Sequence, residues 1–193
     1  LERAVCDGQA MLLDAFAGSK EKDAVLVALW TFQSDANVVH GYVPVKDATK
    51  LDPSTTYRCG GCTHLYDTFI DACAANVAYA QTLRDAGTPV RSIVVVVTDG
   101  EDVGSKRAAR SCKKLAEDLL KSEQFLLAFV GVGADVDFQQ VARSMGFPDG
   151  SVLVQKDATP GGLRAAFQPV SQSAIRASQG RIAPGANAGF FAP

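Results

Sequence analysis

No run of apolar residues in this sequence approaches the roughly 18 that a membrane-spanning helix requires. Leu1 to Phe16 carries charges throughout and lacks the continuous apolar centre of a secretory leader, so no leader is expected there. Neither sign of charge dominates: 19 Lys and Arg face 21 Asp and Glu, for a net charge of −2. That balance gives no electrostatic reason to expect nucleic acid or an anionic membrane as partner. Histidine is scarce, with only His40 and His64. The chain also has no P-loop and no Gly-x-Ser-x-Gly element, two common signatures of phosphate binding and acyl transfer.

Cysteine is present in an odd number: Cys6, Cys59, Cys62, Cys73 and Cys112. Scattered thiols, mostly on expected helices, argue for reduced cysteines and a cytoplasmic setting. Cys59-Gly-Gly-Cys62 is the exception, because a CxxC pair can bind zinc or exchange disulfides. Zinc needs two further well-spaced ligands, which His40 and His64 do not provide, and no strand leads directly into the pair as in thioredoxin-like motifs. The pair therefore reads as loop cysteines.

At 193 residues, 47% of them apolar and 21% charged, the chain fits one globular domain with a sizeable core. Glu2 to Ala17 has helical apolar spacing at Val5, Leu12, Leu13 and Phe16, closed by Gly18. Ala24 to Phe32 is a nearly continuous apolar run, as expected of a strand covered on both faces. The turn Ser34 to Asn37 and a second strand, Val38 to Val45, make an antiparallel hairpin with it. Lys46 to Gly61 is a long irregular loop of the kind that often carries function. Beyond it, helices are expected over His64–Ala86, Ser105–Lys121, Asp137–Met145 and Gly162–Ser178, the last kinked or split at Pro169. Strands are expected over Ser92–Thr98, Gln124–Val132 and Ser151–Gln155. The tail from Arg181 onward, RIAPGANAGFFAP, has no period and reads as a linker or docking segment.

Strands that alternate with helices imply an α/β fold, with an open, mostly parallel, doubly wound sheet, helices on both faces and one antiparallel edge strand. One feature is out of place. Such a chain normally begins on its central strand, yet this one opens on a helix, as though a first strand were missing before Leu1.

In open parallel sheets, ligands bind beyond the carboxyl ends of the strands. Thr98-Asp99-Gly100 ends the run Val94–Val97 at such a place, with Gly100 permitting a sharp turn and Asp99 projecting into the crevice. Thr63 lies at the start of the His64–Ala86 helix on another loop. A carboxylate and a hydroxyl from two loops suit a hard cation such as Mg²⁺, which takes oxygen ligands and keeps some water. The plain alternatives are an N-cap hydroxyl for Thr63 and an acidic turn or dipole-facing carboxylate for Asp99. Glu101 and Asp102 would flank such a site, although they read more simply as the charged start of the next helix.

These residues resemble a known family. Gly61-Cys62-Thr63-His64-Leu65-Tyr66-Asp67 resembles a segment of von Willebrand factor type A domains, and Val94 to Asp102 is similar to their fourth strand with its terminal TDG. Phe129-Val-Gly-Val-Gly-Ala-Asp135, followed by a short helix with Val141-Ala142, resembles the next strand and helix. The resemblance covers about residues 1–178 and leaves 179–193 as a tail or linker. It implies a Rossmann-like sheet and a metal-ion-dependent adhesion site, with Thr63 and Asp99 at the positions of metal ligands for Mg²⁺ or Mn²⁺. It also implies a protein partner that completes the metal shell with an acidic side chain. The family's Asp-x-Ser-x-Ser ligand segment has no counterpart in this chain, and it belongs on the strand that the topology lacks.

Three function classes follow. The first is a metal-dependent protein–protein interaction module, in which a partner chain could supply the missing strand. The second is a metal-free structural interaction domain. The third is a Mg²⁺-dependent phosphoryl-transfer or hydrolytic enzyme, in which His64 beside Thr63 is the one plausible acid–base group; no recognisable catalytic constellation supports it. Without a central strand, the flanking strands would expose apolar faces and unpaired backbone, so residues 1–193 alone are expected to be insoluble or to need a partner strand.

Overall fold

The computed structural model describes residues 2–182 and 189–191. Its elements run α1 (Glu2–Ala17), β1 (Leu26–Phe32), β2 (Ala36–Pro44), α2 (Leu65–Asp85), β3 (Ser92–Thr98), α3 (Ala109–Lys121), β4 (Phe125–Val132), α4 (Phe138–Ser144), β5 (Val152–Gln155) and α5 (Pro160–Ser178). Nearly every element lies where apolar periodicity expects it. Boundaries shift by a residue or two at several ends, and two differences are larger. α3 starts at Ala109 rather than Ser105, and α5 continues through Pro169 in one run.

The architecture is mixed α/β, and its strands are divided between two sheets. β1 and β2 form an antiparallel pair, from Leu26 opposite Pro44 to Phe32 opposite Ala36, with register shifts on either side of Leu29. β3, β4 and β5 form a parallel sheet in that order, with Ser92 opposite Phe125 and Phe129 opposite Val152. The single open sheet expected from the sequence is thus not what the described residues build. Periodicity locates strands but carries no information about which edges meet, and β1 and β3 do not pair.

Alternation along the strands sends side chains to two opposed cores. On one face, Val96 of β3 and Leu127 and Phe129 of β4 pack with Leu65 and Phe69 of α2, Cys112 of α3 and Phe138 of α4. On the other, Leu126 and Ala128 of β4 meet Phe16 of α1 and Ala174 and Ala177 of α5. Helices therefore cover the three-stranded sheet on both sides, and β4, at its centre, is buried along its whole length. That is why β4 reads as uninterrupted FLLAFVGV rather than as an alternating pattern. Phe190 docks beneath this second face, fully buried, with its N–H donating to Ser151 Oγ at 3.2 Å, and the Phe191 N–H donates to the Gly150 carbonyl at 3.0 Å.

Candidate metal site at the carboxyl end of β3

β3 ends at Thr98, whose buried hydroxyl turns the chain at once. It accepts from the Gly100 N–H at 3.2 Å and donates to the Gly100 carbonyl at 2.9 Å, leaving Asp99 exposed beyond the strand. The loop before α2 approaches from the side. The Thr63 carbonyl accepts from the Val103 N–H at 2.9 Å, an isolated antiparallel bridge that stitches the two loops together. A methyl group on Gly100 would stand 3.3 Å from Thr63 Oγ1, so the threonine hydroxyl lies against the residue that follows Asp99. The two residues singled out in the sequence are therefore brought to one place.

The plain role for Thr63, capping α2, is not what it does. α2 begins at Leu65 with no side-chain cap from the residue before it. Its first turn is capped from the β3–α3 loop instead. Asp102 Oδ1 accepts from the Tyr66 N–H at 3.0 Å, and Ser105 Oγ accepts from the Asp67 N–H at 3.1 Å while donating to Asp102 Oδ1 at 2.6 Å. Asp102, read in the sequence as the charged start of the following helix, serves the preceding one. The reason is spatial: the N–H groups of Tyr66 and Asp67 at the α2 N-terminus find no acceptor in their own segment, and the carboxylate within reach belongs to a loop 36 positions away.

Asp67 returns the favour in the opposite direction. Its carboxylate accepts from the backbone N–H of Lys106 at 2.8 Å, from that of Arg107 at 3.0 Å and from Arg107 Nε at 2.8 Å. Burial acts to raise its pKa, but these donors outweigh it and hold the carboxyl down at about 2. Arg107 also reaches Asp71 at 2.8 Å, and the Asp71 and Asp67 carboxylates together push its own pKa up. The loop that carries Asp99 is thus clamped to α2 by a reciprocal set of charged hydrogen bonds. Sequence reasoning did not find this clamp, because Asp67 and Arg107 are 40 positions apart; the only trace is two acids one turn apart, Asp67 and Asp71, with a basic pair elsewhere.

A third loop closes on the same region. Burial raises the pKa of Tyr57, and the neighbouring Cys59 thiol and the Asp99 charge add to that effect. Cys59 Sγ lies 3.7 Å from the Tyr57 hydroxyl, and the Cys59 N–H donates to Glu2 Oε1 at 2.7 Å, which brings the start of α1 to this end of the fold. Cys59 and Cys62 are both free and exposed, whereas burial pushes the Cys73 and Cys112 thiols up to about 12. The His64 N–H donates to the Gln33 carbonyl at 2.8 Å, tying the loop to the end of β1, and its ring lies over Gly104, where a Cβ would meet Nε2 at 2.6 Å. His40 sits away from the site on β2, with Nδ1 2.8 Å from the Gly41 carbonyl.

The arrangement offers an exposed carboxylate and a neighbouring hydroxyl. Among the described residues neither the Asp99 carboxylate nor the Thr63 hydroxyl has a hydrogen-bond partner, so both oxygens are available to a ligand. Hard oxygen donors of this kind fit Mg²⁺ or Mn²⁺ rather than a thiophilic metal. They are few: no group of three or more His, Cys, Asp and Glu side chains among the described residues is placed to hold a metal ion. Water and donors from elsewhere would make up the shell.

No protein-family model matches the chain, and no curated protein matches it in sequence. Solved structures do. Proximal thread matrix protein 1 from the mussel byssus is similar with a TM-score of 0.62 and 17% identity over 90% of this chain. A second crystal form of the same mussel protein gives 0.63 and 14%, again over 90% of this chain. The chain spans 40% to 42% of the length of that protein. At such identity the likeness is one of fold alone. Among the described residues no helix is long and apolar enough to cross a membrane.

Proposed function

We propose that the chain is a von Willebrand factor type A-like module that binds another protein through a divalent metal held at Asp99 and Thr63. The observation that carries this reading is the convergence of those two residues. They lie 36 positions apart in sequence, yet the Thr63 hydroxyl rests against Gly100 while Asp99 points outward with its oxygens unpaired. In this reading the two half-sheets belong to one open, mostly parallel sheet of the Rossmann-like type, with β2 as its antiparallel edge.

Asp99 would supply a carboxylate oxygen and Thr63 its hydroxyl. A Mg²⁺ or Mn²⁺ bound there would offer an uncancelled positive charge, which favours an anionic side chain of the partner. The clamp through Asp102, Ser105, Asp67 and Arg107 holds the two loops in register, so the donors are positioned before the metal arrives. The same reading sets the domain in the cytoplasm, where five unbridged thiols remain reduced.

Calorimetric titration of Mn²⁺ tests the site. With so few donors, binding is expected with a Kd on the order of 10⁻⁴–10⁻³ M, and it should vanish in Asp99→Ala and weaken in Thr63→Ala. Because Asp99 is exposed, its removal should change folding stability by less than about 0.5 kcal/mol. Equal heats in wild type and Asp99→Ala would rule the site out. A second reading, a structural domain that works without metal, draws support from the similar fold found in a thread matrix protein. It predicts partner binding that is indifferent to chelators.

A further inference from the structure

The loop Cys59-Gly60-Gly61-Cys62 takes no part in the metal reading, yet it is where the chain keeps its accessible sulfur. Cys59 and Cys62 are exposed, whereas Cys6 is 5% exposed and Cys73 and Cys112 are sealed. Oxidation needs a thiolate that a reagent can reach. Burial pushes the Cys73 and Cys112 thiols up to about 12 and raises Cys6 as well, so all three stay protonated inside the fold. Thiol chemistry is therefore confined to one loop.

Both ends of that loop are pinned. The Cys59 N–H donates to Glu2 Oε1 at 2.7 Å, and the Cys62 N–H donates to Ser34 Oγ at 3.1 Å. Between them Gly60 and Gly61 take φ of +146° and +77°, conformations that glycine adopts freely and other residues avoid. A Cβ on Gly60 would meet nothing within 4 Å among the described residues, so the loop has room to fold more tightly. A disulfide needs its two Cα atoms about 5.5 Å apart, and cysteines three positions apart reach that spacing when the residues between them can turn. Tyr57 marks out the thiol that reacts first. Its hydroxyl lies 3.7 Å from Cys59 Sγ, and burial, reinforced by Cys59 and the Asp99 charge, raises its pKa. Tyr57 thus stays protonated and able to donate to a Cys59 thiolate.

We propose that Cys59 and Cys62 are a reversible disulfide site, closed by exchange with a small disulfide such as glutathione disulfide, and that closure displaces Thr63. Cys59, its proton released to water, attacks one sulfur of the small disulfide and expels a first thiolate. Cys62, likewise deprotonated, attacks Cys59 Sγ and expels the second. The two cysteines lose two electrons in all, which leave with two glutathione thiols that take up the two protons. Disulfides of this kind in a reducing compartment are transient and serve redox sensing. Thr63 follows Cys62 directly, and its carbonyl accepts from the Val103 N–H at 2.9 Å. Drawing Cys62 toward Cys59 breaks the Cys62–Ser34 hydrogen bond and pulls Thr63 away from Val103 and Gly100. The disulfide stands on the loop alone; only its effect on a metal rests on the function proposed above.

The test equilibrates the full chain, folded, in glutathione buffers stepped from reducing to oxidising. Acid quenching, alkylation and peptide mass mapping then locate the bonds, and hydrogen exchange compares the two forms. A Cys59–Cys62 bond should appear, with Cys6, Cys73 and Cys112 alkylated only after unfolding. In the oxidised chain the Val103 and Cys62 amides should exchange about tenfold faster, while Cys59→Ser in the same buffers should show no change. Oxidised chain should also bind Mn²⁺ about tenfold more weakly than reduced chain. Bonds that join Cys59 or Cys62 to Cys6, to glutathione or to a second copy instead would overturn the proposal. So would a loop that stays reduced in the most oxidising buffer, or a Cys59–Cys62 bond that leaves Val103 exchange unchanged. Absence of Mn²⁺ binding in both forms would sink the metal reading, and mass mapping with Val103 exchange would still decide the disulfide.

Discussion

Asp67 shows how one carboxylate is recruited to hold a site it does not join. Its oxygens bind the Lys106 and Arg107 backbone and the Arg107 side chain, and its pKa of about 2 lies below the ordinary 3.8. A carboxyl depressed in the folded state contributes stability above its unfolded pKa and loses it as pH falls through the folded one. That contribution is therefore complete at neutral pH and disappears between about pH 4 and pH 2. After allowance for solvent screening it amounts to about 1 kcal/mol. Asp67→Asn should lower stability by about that much at pH 7, with the difference from wild type closing by pH 2, as measured by urea unfolding across pH. Of the candidate site, Thr63 and Asp99 were legible because glycines and a strand end mark them locally. Tyr57, Glu2 and the Asp67–Arg107 clamp were not, since each acts on a residue far away in sequence and leaves no local pattern.

Among the elements, legibility followed burial. β4 and β3 announce themselves as unbroken apolar runs because helices cover both of their faces. The start of α3 was misplaced because Ser105 to Arg107, which resemble a polar first turn, are spent on capping and clamping α2. Pro169 was expected to kink or split α5, yet the helix passes through it, supported by Phe167, Val170 and Ala174, which are buried against the sheet and α1. The α1–α5 contact itself depends on a glycine. A Cβ on Gly8 would stand 2.1 Å from Phe167 Cδ2, and Phe167 is only 6% exposed. Gly8→Ala gains helix propensity but should still destabilise the fold by about 1–3 kcal/mol through overpacking. Phe167→Leu in the same chain should recover part of that loss, as read from the urea midpoint.

For the whole molecule, β1 and β3 both end at the loop cluster where Asp99, Thr63, Tyr57 and Glu2 converge, although among the described residues no ladder joins the two strands. Which strands pair was not legible in the sequence, because pairing is settled by edges meeting in space. The central claim is that a metal at Asp99 binds a partner's carboxylate directly. Water-proton relaxation of bound Mn²⁺ addresses it most directly, since the signal counts water molecules on the ion. Mn²⁺ added to the protein should enhance relaxation in wild type and not in Asp99→Ala, and a short glutamate-containing peptide should then reduce the enhancement by displacing metal-bound water. Enhancement that survives in Asp99→Ala, or that the peptide leaves unchanged, would contradict the account.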